Sequence, residues 1–159
     1  MTENKTILRL KHKVSVDLYT LLTTGRVLFL TLNRKWYVKI ASGEKKEEYR
    51  ALKPYWLNRL LDIEHPEEEK GENKVIPFNI EYDIIENGYS PETVLRAYSS
   101  KLKEFDLIVF LNGYGEVPTI IIESKGIEIK TGREDWGALA EQFYLTLKLG
   151  EIRYSEPCS

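Results

Sequence analysis

Two apolar runs, Asp106-Leu-Ile-Val-Phe-Leu111 and Pro118-Thr-Ile-Ile-Ile-Glu123, are separated by Asn112-Gly113-Tyr-Gly115 and commit the middle of the chain to a sheet. β-Branched and aromatic side chains suit a buried pleated surface, and Asn-Gly with a second glycine supplies the positive-φ backbone of a loop. The runs are expected to pair antiparallel. Gly126–Ile129 continues the second of them, Thr131-Gly132 makes a turn, and Phe143–Leu149 reads as the closing strand. Arg26-Val-Leu-Phe-Leu-Thr-Leu32 is equally apolar and reads as the entering strand. With the helices below and no regular β-α-β alternation, the expected fold class is α+β, a small twisted β-barrel with flanking helices.

Helix signals are local and punctuated. Ser15 caps a helix near 16–24, with Asp17 in its first turn and Gly25 at its end. Asn33 caps an amphipathic helix at 34–42, where Trp36 and Ile40 share one face and Lys35 and Lys39 another; Gly43 stops it. A charged strand is expected at Glu44–Arg50, with Lys46, Glu48 and Arg50 on one face and Lys45, Glu47 and Tyr49 on the other. Pro54 opens a short helix to Leu61, and Ser90-Pro91 opens another that runs to about Phe105. Residues 6–14 alternate Leu8 and Leu10 with Arg9 and Lys11, which predicts an edge strand; Phe78–Ile85 predicts another strand. The charged stretch His65–Asn73 reads as an exposed loop and Tyr154–Ser159 as a flexible tail.

At 159 residues, 42% hydrophobic and 30% charged, the chain suits one domain with a real core. A lone cysteine, Cys158, excludes an internal disulfide, and His12 and His65 without a CxxC pair do not make a zinc site. Neither a metal nor another cofactor is expected. No run approaches the ~20 apolar residues of a membrane span, and Met-Thr-Glu-Asn-Lys lacks a signal-peptide core, so a cytoplasmic protein is expected. The net charge of −2 argues against broad charge-driven nucleic-acid binding. It conceals an asymmetry: between Asn33 and Arg59 eight basic residues face three acidic ones, an excess of five, and the sign reverses from Asp62 to Glu72. An anionic ligand is expected to meet the basic stretch.

Chemistry-bearing residues concentrate there. Lys45, just past the glycine stop and close to Glu48 and Arg50, suits a nucleophile or base if buried, and a solvated lysine paired with Glu47 or Glu48 if not. Glu48 suits an acid or base, or a carboxylate that holds Lys45 and Arg50. Arg50 offers paired donors for a phosphate or a base edge. Lys39 and Lys53 would add positive charge at the mouth of such a site. Asn112 and Tyr114, on the glycine-rich turn, suit a base edge and a base face, or simply the turn and its packing. Trp36, Trp56 and Trp136 read first as core residues and second as stacking platforms.

The pattern Gly43-x-Lys45-x-x-Glu48-x-Arg50 after an amphipathic helix resembles the signature of the ASCH domain family, a branch of the PUA-like superfamily. Further matches follow in order: Lys53-Pro-Tyr-Trp56, Phe110-x-Asn112-Gly-Tyr114, Glu123-x-Lys-Gly126, Trp136-Gly137 and Leu149-Gly-Glu-Ile152. They cover residues 27–153, leaving 1–26 as an N-terminal extension packed on the domain, and residues 62–103 exceed the simplest plan and read as an insertion. The resemblance implies a PUA-like barrel and an RNA, nucleotide or modified-base ligand in a cleft between barrel and helix, lined by Lys45, Glu48, Arg50, Asn112 and Tyr114. One branch of the family resembles amidohydrolases that deacylate N4-acetylcytidine through the motif lysine, a threonine three residues later and a distant glutamate; ribonuclease activity is the other catalytic precedent. Lys45 matches the lysine, but Glu48 stands where that branch has threonine. The alternative function implied is therefore a metal-free hydrolase using Lys45 and Glu48.

Overall fold

The computed structural model describes residues 2–63 and 79–158. In order they form α1 (Thr2–Leu10), α2 (Val16–Thr24), β1 (Val27–Thr31), α3 (Arg34–Ala41), β2 (Glu47–Ala51), α4 (Pro54–Leu60), β3 (Leu61–Ile63), α5 (Asn79–Ile85), α6 (Pro91–Ala97), β4 (Ser100–Leu102), β5 (Leu107–Leu111), β6 (Thr119–Thr131), a 3-10 turn (Glu134–Trp136) and β7 (Phe143–Ser155). The chain is α+β, with helices and a curled five-stranded half-barrel sheet in the order β1-β5-β6-β7-β2. β1 runs parallel to β5, with Phe29 opposite Val109, and β5 pairs antiparallel with β6, with Val109 opposite Ile121. The antiparallel pairing expected of 106–111 and 118–123 is thus present.

The chain divides into two compact units. The first comprises Met1–Glu48, Glu104–Gly126 and Lys148–Ser159. Its core joins Leu10 of α1 and Leu18 and Leu22 of α2 to Phe29, Leu107, Val109, Leu111 and Ile121 on one face of β1, β5 and β6. Each fully buried side chain of this kind contributes about 1.5–3 kcal/mol relative to its exposed state. The second unit comprises Tyr49–Lys103 and Ile127–Leu147. It contains the two-stranded antiparallel sheet β3-β4 and buries Leu57, Leu60, Ile80, Ile84 and Val94 from α4, α5 and α6.

Local chemistry set most helix starts. The hydroxyls of Ser15 and Ser90 accept from Leu18 N and Thr93 N, and Asn33 accepts from Trp36 N. Proline occupies the first turn of α4 and α6.

Five expectations are corrected. Residues 6–14 do not form a strand: α1 ends at Leu10, because Thr6 and Leu10, four apart, are buried while Leu8 is 66% exposed. The helical spacing prevails over the Leu8/Leu10 alternation. Likewise 79–85 is a helix, with Ile80 and Ile84 inward and Tyr82 outward; Phe78 lies outside the described residues. α6 stops at Ala97 rather than near Phe105, since Ser99 takes φ 52 and β4 begins at Ser100. The charged strand starts at Glu47, not Glu44. Finally, Tyr154 and Ser155 belong to β7, and the next residues are fastened rather than frayed. The charged loop expected at 65–73 lies outside the described residues.

Candidate functional site

The end of α3 places Lys45. Gly43 takes φ +82, the left-handed turn anticipated for it, and its N–H donates to Ile40 O (3.0 Å). The chain folds back so that Lys45 N donates to Lys39 O (3.0 Å), satisfying a carbonyl at the helix end. Lys46 O then accepts from Leu149 N of β7 (3.0 Å). Lys45 precedes the strand, so strand alternation does not govern its direction. Its side chain turns inward and meets Glu48, which alternation had placed on the opposite face.

Lys45 is 1% exposed and Glu48 7%. Their Nζ and Oε1 lie 2.8 Å apart, and the same ammonium donates to the Glu47 carbonyl. A buried ammonium is tolerated only where paired and hydrogen-bonded in this way. The distance permits proton transfer. The burial means that a substrate reaches this ammonium only after displacing what covers it.

Trp36, half-buried on α3, gathers three lysines. Lys35 Nζ lies 4.6 Å from the ring centroid, Lys45 Nζ 5.5 Å and Lys39 Nζ 5.8 Å, all within cation–π range. Lys39 also pairs with Glu44 at 3.0 Å. Asn112 is committed elsewhere: Nδ2 donates to Leu32 O (3.1 Å), and Oδ1 accepts from Cys158 Sγ (3.4 Å). Tyr114 is 87% exposed between Gly113 (φ +115) and Gly115 (φ +85). Neither Asn112 nor Tyr114 hydrogen-bonds to Lys45 or Glu48. Of the residues predicted in this unit, the structure brings Lys39 and Lys45 to one indole and joins Lys45 to Glu48.

Arg50 and Lys53 lie in the second unit. Arg50 Cζ stands 4.7 Å from the Trp56 centroid and Arg59 Cζ 5.4 Å, while Tyr55 meets Trp56 edge-on at 4.8 Å. Lys53 pairs with Glu81 at 2.6 Å. Arg59 was not among the predicted site residues, although its spacing of three from Trp56 and four from Tyr55 is a visible helical signal. Trp136 is buried, with Arg133 Cζ 4.1 Å from its ring centroid.

A polar cluster in the first unit was also missed. Glu156 accepts from Arg9 Nη1 (2.9 Å) and Nη2 (3.1 Å), from Tyr154 Oη (2.7 Å) and from Thr119 N (3.1 Å), with Lys13 Nζ at 3.7 Å. Arg9 Nη2 further donates to Thr119 Oγ1 (2.8 Å) and Val117 O (3.2 Å). Burial alone would raise the Glu156 carboxyl, but the bonds from Arg9 and Tyr154 and the charges of Arg9 and Lys13 prevail and hold it below its usual value. The hydrogen bond to Glu156 raises Arg9, and burial together with the bond to Glu156 pushes Tyr154 up to about 12. Nothing local in the sequence links Arg9 to a residue 147 positions away.

Among the described residues no group of three or more His, Cys, Asp or Glu is placed to hold a metal ion, and no helix is long and apolar enough to cross a membrane. Comparison with protein-family models, curated proteins and solved structures yields no match.

Proposed function

We propose that the chain is an ASCH-type module that binds single-stranded RNA or a single modified base, with indole rings as stacking platforms and the surrounding cations on the phosphates. The observation that carries this reading is the recurrence of cations over indoles: three lysines at Trp36 and two arginines at Trp56. Base stacking on such rings contributes about 1–3 kcal/mol per base and tolerates sequence variation, while Lys and Arg supply the salt-dependent part. On this reading Lys35 and Lys39 are phosphate-facing cations of the first unit, and Arg50, Lys53 and Arg59, taken by themselves, those of the second.

Fluorescence anisotropy of labelled single-stranded RNA across a salt series tests it. Log affinity is expected to fall with log salt by about 0.7 per phosphate contact. Trp36→Ala and Arg50→Ala should each weaken binding about tenfold, corresponding to ~1.4 kcal/mol. Salt-independent binding, or unchanged affinity in both variants, refutes the assignment.

The 2.8 Å Lys45–Glu48 contact favours a second reading, a hydrolase of N4-acylated cytidine in which the pair moves a proton. Release of cytidine from N4-acetylcytidine by the wild type and not by Lys45→Met supports it, and no release by either discards it.

A further inference from the structure

Residues 156–158 follow the end of β7 and are held by four fastenings, all within the first unit. The Glu156 carboxylate takes Arg9, Lys13, Thr119 N and Tyr154 Oη; the Glu156 carbonyl accepts from Tyr37 Oη (2.7 Å); and Cys158 Sγ reaches Asn112 Oδ1 (3.4 Å). Glu156 N also donates to Thr119 O (2.9 Å). Pro157 lines two cavities, one of about 400 Å³ shared with Arg9, Lys13 and Pro118, the other of about 510 Å³ shared with Arg34, Tyr37 and Val38.

The hold is polar rather than apolar. Pro157 is exposed, and Glu156 and Cys158 only half-buried, so little hydrophobic area secures the segment. What it occupies is chemically specific. Guanidinium, ammonium, hydroxyl and backbone N–H converge on one carboxylate, and a phosphate oxygen offers those donors the same acceptor. The Asn112 amide, suited to a base edge, is engaged by the same segment. A phosphate oxygen of a nucleic-acid strand would meet the same donors as the Glu156 carboxylate.

We propose that residues 156–158 are an autoinhibitory strap, with Glu156 seated on Arg9, Lys13, Thr119 and Tyr154 where a backbone phosphate of the RNA ligand binds, and Cys158 covering Asn112. The inference rests on the RNA-binding reading above. A strap seated about nine-tenths of the time lowers apparent affinity about tenfold, and its release restores that factor.

Two measurements test it. Anisotropy compares labelled single-stranded RNA on wild type and Glu156→Gln, which keeps the side chain's shape and removes its charge. Alkylation of Cys158 by iodoacetamide, followed in the wild type with and without RNA, reports the strap without any substitution and covers the case in which Glu156→Gln fails to fold. Tighter binding by Glu156→Gln and faster alkylation with RNA are expected, each by about the same tenfold factor. If the wild type binds RNA while Glu156→Gln binds no tighter and alkylation is not accelerated, the strap is overturned and the RNA reading stands. If RNA binds neither protein, both fall.

Discussion

Replacing Lys45 with methionine isolates the charge of the buried pair, because methionine retains most of the aliphatic stem beside Trp36 and removes the ammonium. Glu48 is 7% exposed and 2.8 Å from that ammonium, so the variant takes the ammonium away from a carboxylate whose solvation the fold has already removed. Breaking a buried pair from one side costs about 3–5 kcal/mol. With an m-value of about 2 kcal/mol/M, the urea midpoint should fall by about 1.5–2.5 M. Glu48→Leu should cost a similar amount, because the buried ammonium then loses its carboxylate. The double variant Lys45→Met/Glu48→Leu should recover most of the loss, since an apolar pair of similar volume is often as stable as the ion pair it replaces. Equilibrium urea unfolding of the four proteins closes the cycle. Single variants that each move the midpoint by less than about 0.5 M would show that the charges are solvated, and the reasoning from burial would fail.

Three other outcomes follow from the geometry. Gly43→Ala should destabilise by about 1 kcal/mol, read as a lower melting temperature, because alanine must take φ +82 there although its Cβ would find ordinary space. Gly132→Ala should cost about 1–3 kcal/mol in urea unfolding, since a Cβ there would lie 2.7 Å from Ala138 Cβ and from the Tyr49 ring. Glu156 titrates below its usual value in the folded chain, so its contribution is present above the unfolded pKa of about 4.3 and is lost as pH falls through the lower folded value. The melting temperature of the wild type should therefore drop across that acidic window more steeply than that of Glu156→Gln.

What the sequence disclosed was chemistry confined to a few neighbouring residues. Ser15, Asn33 and Ser90 cap helices through their own side chains, and Gly43 stops α3 because a left-handed φ is accessible to it. Those effects need no tertiary partner. α1 was misread because Leu8 and Leu10 alternate like a strand, and only burial of Thr6 and Leu10 against the first unit distinguishes the helix. Tyr154–Cys158 was misread for the same reason in reverse: a short polar ending reads as loose until Arg9, Asn112 and Tyr37 are brought to it.

The Lys45–Glu48 pair shows how much one strand boundary decides about which side chains meet. Both residues were picked out by type and spacing, but extending the strand back to Glu44 put them on opposite faces. Starting it at Glu47 leaves Lys45 in the turn, free of the two-residue period, and the i,i+3 contact becomes possible. The consequence concerns access. An ammonium that is 1% exposed and already bound to Glu47 O and Glu48 Oε1 is poorly placed to attack a substrate, yet well placed to act from the interior on Trp36, whose ring lies 5.5 Å away. Lys35 is exposed and Lys39 partly so, and their ammoniums approach the same ring. Removing Lys45 should then affect RNA affinity chiefly by loosening Trp36, a smaller effect than removing the indole itself. Equal losses in Lys45→Met and Trp36→Ala, measured on folded protein, would return Lys45 to direct ligand contact.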